Sequence, residues 1–187
     1  MRAYLVVGCE SAGNRITAAV LAQHGCHGEG SFDAPYNTVL PDGSEDPVVV
    51  VRSFPHGGVW PDLPEVHGDL RLAGYEVTVL VVTRDQVALQ RSLIAHKFVS
   101  RPLQAQRQVQ EAYNRIFQGL HPSWDWRLVT LEGLCAEGAV PPLMASLGLS
   151  KEPLSPLMWQ GEPVKHGLHP RPNAKYFPVD YFAGAPS

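Results

Sequence analysis

The sequence predicts an α/β fold, a three-layer sandwich around a mostly parallel sheet, and three observations carry that expectation. Residues 4–7, 48–51 and 77–82 are apolar runs without alternation, as strands covered on both faces require. Stretches with apolar residues at helical spacing lie between and after them. The junction at residues 6–15 passes from strand to helix through Gly8 and Gly13, a pattern suited to a phosphate loop.

The elements follow in order. Residues 14–24 (NRITAAVLAQH) read as a helix that stops at Gly25. Residues 31–47 are polar and turn-rich, a predicted loop. The second strand leads into Arg52-Ser53-Phe54-Pro55-His56-Gly57-Gly58, and Asp62 and Glu65 are expected in a solvated loop beyond it. The third strand ends at Thr83-Arg84-Asp85, with Asp85 placed to cap a helix over 86–97. Residues 104–120 form a long amphipathic pattern, and 126–131 (WRLVTL) read as a fourth strand. A last helix is expected within 138–147, opened by Pro141 and Pro142 and ended by Gly148. Beyond Lys151 prolines are dense and periodicity is lost. The chain therefore divides into one domain over 1–150 and an irregular segment, 151–187, packed on it.

A length of 187 residues fits one domain with its own core. The formal net charge of -3 gives no global basic field for nucleic acid, so any phosphate site must be local. No apolar stretch approaches the roughly 20 residues that span a bilayer. The N-terminal residues read as a strand entering a glycine turn rather than a signal peptide, and a cytoplasmic location is expected. Three irregularly spaced cysteines, Cys9, Cys26 and Cys135, suggest neither a disulfide framework nor a zinc site.

Gly8 and Gly13 match the first half of the Gly-x-x-x-x-Gly-Lys-Ser/Thr phosphate loop; Asn14-Arg15 replaces the second half. Glycine lets the backbone turn sharply so that amides converge on an anion at a helix N-terminus. The candidate ligand-binding residues here are Gly8, Glu10, Ser11, Ala12, Gly13, Asn14, Arg15, Ile16 and Thr17. Arg84 stands at a strand end, where α/β sheets bind ligands, and its guanidinium fork suits a phosphate monoester. Ser92, eight residues on, can add a hydroxyl to the same anion. In the tail, Arg171, Lys175 and Tyr176 form a basic, aromatic segment. Trp60, Trp124, Trp126 and Trp159 are read as packing residues.

These features together resemble the P-loop sulfotransferase superfamily. In that family a glycine loop after the first strand binds the 5′-phosphosulfate of the donor PAPS, and an Arg-(x)7-Ser pair binds its 3′-phosphate. Arg84 and Ser92 have that spacing and order. Residues 52–56 are similar to the family's Lys-Thr-His-Leu-Pro region, with His56 following the proline. A helix containing Tyr113, a strand with Leu131-Glu132-Gly133-Leu134 and a helix ending Ser146-Leu147-Gly148-Leu149 complete the likeness, which spans roughly 4–150. Ser11 occupies the place of the family's loop lysine, so Arg15 or Arg52 is expected to supply its charge.

The resemblance implies a sulfotransferase that takes a sulfuryl group from PAPS to a hydroxyl or amine and leaves adenosine 3′,5′-bisphosphate. His56 is the expected general base, because an imidazole titrates near neutral pH, with Arg15 and Arg52 as catalytic cations and Lys175 closing the donor site. His67, Asp62 and Glu65 are further base candidates. The transfer needs no metal. The partners expected are the nucleotide donor and an acceptor the sequence does not specify, with no membrane and no nucleic acid. Two rivals remain: a P-loop kinase using ATP, with Glu10 and Asp85 as the acids placed to hold magnesium, and a non-catalytic nucleotide-binding module.

Overall fold

In the computed structural model, which describes residues 1–28, 43, 45–154 and the backbone of 158–159 and 162–163, five parallel strands form the central sheet. They are β1 (Arg2–Cys9), β2 (His27–Gly28), β3 (Val48–Phe54), β4 (Glu76–Thr83) and β5 (Asp125–Thr130), ordered β2-β3-β1-β4-β5. The helices are α1 (Asn14–Gln23), α2 (Leu63–Leu72), α3 (Gln86–Ala95), α4 (Pro102–Gly119), α5 (Leu131–Leu134) and α6 (Val140–Ser146).

β1 lies at the centre, pairing Ala3–Cys9 with Val48–Phe54 on one side and Arg2–Gly8 with Glu76–Val82 on the other. Its residues from Ala3 to Cys9 are all buried, as are those of β3, so both faces of the sheet are covered. The chain moves one way across the sheet from β1 through α1 to β3, and the opposite way from β3 through α2 to β4. Right-handed crossovers in opposite directions place their helices on opposite faces. Accordingly α1 packs on β1 and β3, while α4 packs on β1 and also meets α2 and α3. β1 thus sends its outgoing chain to one face and both neighbours send theirs to the other. The crevice beyond its carboxyl end is where such sheets bind ligands.

The sequence places the four main strands and four of the six described helices, α1, α3, α4 and α6; the differences have identifiable causes. β3 continues past residue 51 because pairing with β1 persists through Arg52, Ser53 and Phe54, which leaves Arg52 and Ser53 buried at the strand end. Asp62 and Glu65 do not lie in a loop: Asp62 is the N-cap of α2 and accepts from the Glu65 amide. Leu131–Leu134 is a short helix rather than a strand, because the Thr130 hydroxyl accepts from the Gly133 amide and turns the chain as β5 ends. Within the segment beyond 151, β6 (Met158–Trp159) pairs antiparallel with β7 (Glu162–Pro163). Most of the predicted 31–47 loop, the Trp159 side chain, and Arg171, Lys175 and Tyr176 lie outside the described residues.

Candidate functional site

The glycine loop leaves β1 at Cys9 and enters α1 at Asn14. Ser11 takes a left-handed φ of 66° and Gly13 one of 110°, and the Ala12 amide closes the turn on the Cys9 carbonyl at 3.0 Å. Gly13 is the N-cap of α1; no side chain caps it and no acid stands in the first turn. The amides of Asn14, Arg15 and Ile16 precede the first helical bond, from Thr17 N to Gly13 O, and so lie at the positive end of the helix. A Cβ on Gly13 would meet Leu131 Cδ1 at 2.9 Å, so α5 covers the loop closely.

Three side chains hold this loop. Arg84, just past β4, donates from Nη1 to the Ser11 carbonyl at 2.9 Å. Asn14 is 4% exposed; its amide donates to Gly8 O, Cys9 O and Ser53 Oγ at 3.1, 3.2 and 3.0 Å. Asn14 sits where the phosphate-loop motif has lysine, but its side chain fastens α1 to the ends of β1 and β3. Gln108, from α4, donates to Glu10 Oε2 at 3.1 Å. Burial raises the Glu10 carboxyl above its usual range, partly offset by that hydrogen bond. Thr17 bonds its hydroxyl to Gly13 O and is buried.

His56 stands beyond the end of β3, in a turn closed by its bridge to Val59. Its Nδ1 accepts from the Ser53 amide at 3.2 Å, so the neutral ring carries its proton on Nε2. Burial, then the positive charges of Arg52 and Arg15, lower its pKa to about 4. Arg15 and Arg52 are therefore both close enough to act on this ring, one from α1 and one from β3. Arg52 is buried and also donates from Nη1 to Val51 O at 2.6 Å.

Ser92 lies on the inward face of α3 at 2% exposure, with Ala88, Leu89 and Leu93. Asp85 caps α3, accepting from the Ala88 amide at 2.8 Å, while its own amide donates to Glu132. His67 is not brought to the loop. It stacks on Trp124 at 3.7 Å, just before β5 and at the amino end of the sheet, and burial followed by Arg71 lowers its pKa. Trp60 carries the Arg115 guanidinium 4.9 Å from its ring centre.

Two grooves flank α4. One, of about 760 Å³, lies at the α3–α4 connection and is lined by Phe98, Gln104, Arg107 and Gln108, among others. The second, of about 480 Å³, lies between Trp60 and α4 and shares Arg107 and Gln108. None of the loop residues singled out in the sequence lines either groove, yet Gln108 joins both to Glu10. Gln108 went unnoticed in the sequence because a glutamine on the polar face of an amphipathic helix carries no motif.

Among the described residues no helix is long and apolar enough to cross a membrane. Comparisons of the chain with protein-family models, with curated proteins and with solved structures give no match. The class defined by fold and site is thus an α/β domain with a glycine loop at the carboxyl end of its central strand.

Proposed function

We propose that this domain is a P-loop protein of the sulfotransferase type, which binds PAPS and transfers its sulfuryl group to a hydroxyl or amine. The observation that carries the reading is the glycine loop at the carboxyl end of β1, where Gly13 opens the uncapped α1 and Arg84 donates to the Ser11 carbonyl, with Arg15 and Arg52 near enough to the buried His56 to help lower its pKa. Such a site suits a multiply charged anion held by amides and guanidiniums. The arginines take over the charge that the family's loop lysine supplies.

Catalysis of sulfuryl transfer is mainly positioning and charge stabilisation. With Nδ1 engaged by Ser53 and Nε2 buried, His56 is held as a neutral ring at the end of β3. Its low pKa makes it a weak base at neutral pH. Glu10, whose carboxyl is raised by burial, is the better group to take the acceptor proton. The acceptor oxygen or nitrogen bonds sulfur as the bridging S–O bond breaks, the electron pair leaves on the 5′-phosphate oxygen, and the proton passes to Glu10.

The kinase reading asks for a carboxylate free to hold magnesium. Asp85 is engaged in capping α3, which leaves that role to Glu10, bonded to Gln108 through Oε2. Equilibrium binding of ATP with and without magnesium tests the choice. Affinity indifferent to magnesium supports the sulfotransferase reading; binding that requires magnesium overturns it in favour of the kinase.

A further inference from the structure

Residues 86–110 run from α3 through its connection into α4. They carry four of the chain's 15 lysines and arginines and none of its 18 aspartates and glutamates. In a chain of net charge -3 this is a local basic field. The four cations, Arg91, Lys97, Arg101 and Arg107, are all exposed. Two apolar side chains of the same segment are exposed with them, Phe98 at 47% and Leu103 at 57%. α3 and α4 pack on each other, and Lys97, Phe98 and Arg107 line one groove where they join. Leu103 precedes Arg107 by four residues and so shares its face of α4. Arg101 is the N-cap of α4. The corner is closed by its own bonds: the Phe98 amide donates to Leu93 O at 3.0 Å and the Ser100 hydroxyl to Gln104 Oε1 at 3.0 Å. Phe98 therefore stands out from a built turn.

We infer that this corner docks on an anionic lipid surface, with Phe98 and Leu103 entering the interface and the four cations meeting headgroup phosphates. The contact is peripheral, and no described helix crosses a membrane. It departs from the sequence reading, which expected no membrane, and it is independent of the sulfotransferase reading. Charge complementarity asks for an anionic partner, and the apolar pair decides which. Each lysine or arginine near an anionic leaflet is attracted to it, over about one Debye length. Phenylalanine and leucine gain where hydrocarbon covers them, as they do at the boundary between headgroups and acyl chains. A nucleic-acid strand rewards flat rings on which bases stack, and Phe98 is the only Phe, Tyr or Trp in the segment, while Leu103 gives a base nothing to stack on.

The test is co-sedimentation of the whole protein with vesicles of phosphatidylcholine alone and with roughly a third phosphatidylglycerol, at low and high salt. A single-stranded oligonucleotide serves as competitor. Lys97, Phe98, Arg101 and Leu103 are exposed, so substitutions there leave the fold intact, and thermal melts verify it. The anionic vesicles are expected to bind at least about tenfold tighter than the neutral ones, and less at high salt. Lys97→Gln and Arg101→Gln should each weaken binding about fivefold. Phe98→Ser and Leu103→Ser should each weaken it by about five- to tenfold. Lys151→Gln, an exposed cation outside the corner, should change nothing. Equal binding to both vesicles, or none, overturns the inference. So does binding that Phe98→Ser and Leu103→Ser leave unmoved, or an oligonucleotide that strips the protein from the vesicles, which would assign the cations to nucleic acid instead.

Discussion

Arg84 Nη1 donates to the Ser11 carbonyl across 2.9 Å, tying the end of β4 to the left-handed corner of the glycine loop. A charge-assisted bond of this kind contributes about 1.5–3 kcal/mol, and the loop's amides point correctly only while it holds. Arg84→Ala is expected to weaken adenosine 3′,5′-bisphosphate binding by about ten- to a hundredfold while the fold survives. Arg84→Lys should recover little, since an ammonium cannot reproduce the fork. Calorimetry on the two variants checks this; unchanged affinity in Arg84→Ala would mean the loop does not depend on the contact.

Asn14 predicts a stability effect rather than a binding one. Its amide donates to two carbonyls and the Ser53 hydroxyl in a buried setting. Asn14→Ala removes these bonds and is expected to cost about 1–3 kcal/mol. Asn14→Asp should cost more, because a carboxylate has no donor for Gly8 O and Cys9 O and is buried besides. Denaturant unfolding of both variants gives the order. An aspartate variant as stable as wild type would show that the amide's donor role is not what holds α1.

Gly13 combines a φ of 110° with Leu131 Cδ1 only 2.9 Å from where a Cβ would stand. Gly13→Ala should therefore destabilise by about 2–4 kcal/mol, from backbone strain and overpacking together. Adding Leu131→Ala removes the clash but not the strain, so the double variant should show non-additive, partial recovery. Strict additivity in thermal unfolding would contradict the contact.

The sheet was legible because fully buried strands cannot alternate: Ala3–Cys9 and Val48–Phe54 carry apolar residues on both faces. The positions of Arg84 and Asp85 were legible too, since a strand end followed by a capping residue is a local pattern. α2 was hidden by Pro64 and Gly68, although Asp62 and Glu65 had the spacing of a capping box and could have revealed it. The partnership of Gln108 with Glu10 spans 98 positions, and Asn14 with Ser53 spans 39. Long-range side-chain pairs of this kind follow from topology, and no local pattern announces them. For the same reason His56 read as a base by residue type, whereas the burial that lowers its pKa, helped by Arg52 and Arg15, and the Ser53 amide on Nδ1 appear only in the fold.

His56 makes stability depend on pH. The unfolded imidazole takes a proton near its ordinary value of 6.5, and the folded one stays neutral down to about 4. Between those values the unfolded chain binds more protons, so stability falls as pH falls through that window. His56→Gln keeps an acceptor for the Ser53 amide and removes the titration. Wild type is expected to lose more thermal stability than this variant between pH 6.5 and 4, and to match its pH dependence above 7. Parallel melting curves throughout would contradict the burial of the neutral ring beside Arg52 and Arg15.

The central claim is a site for a doubly phosphorylated adenine nucleotide at the end of β1. A calorimetric titration with adenosine 3′,5′-bisphosphate beside adenosine 5′-monophosphate, repeated on Arg15→Ala and Arg52→Ala, tests it most directly. The account predicts magnesium-independent binding, at least about tenfold tighter for the bisphosphate, and a comparable loss in each arginine variant. Equal affinity for the two nucleotides, or binding unmoved by either substitution, would contradict it.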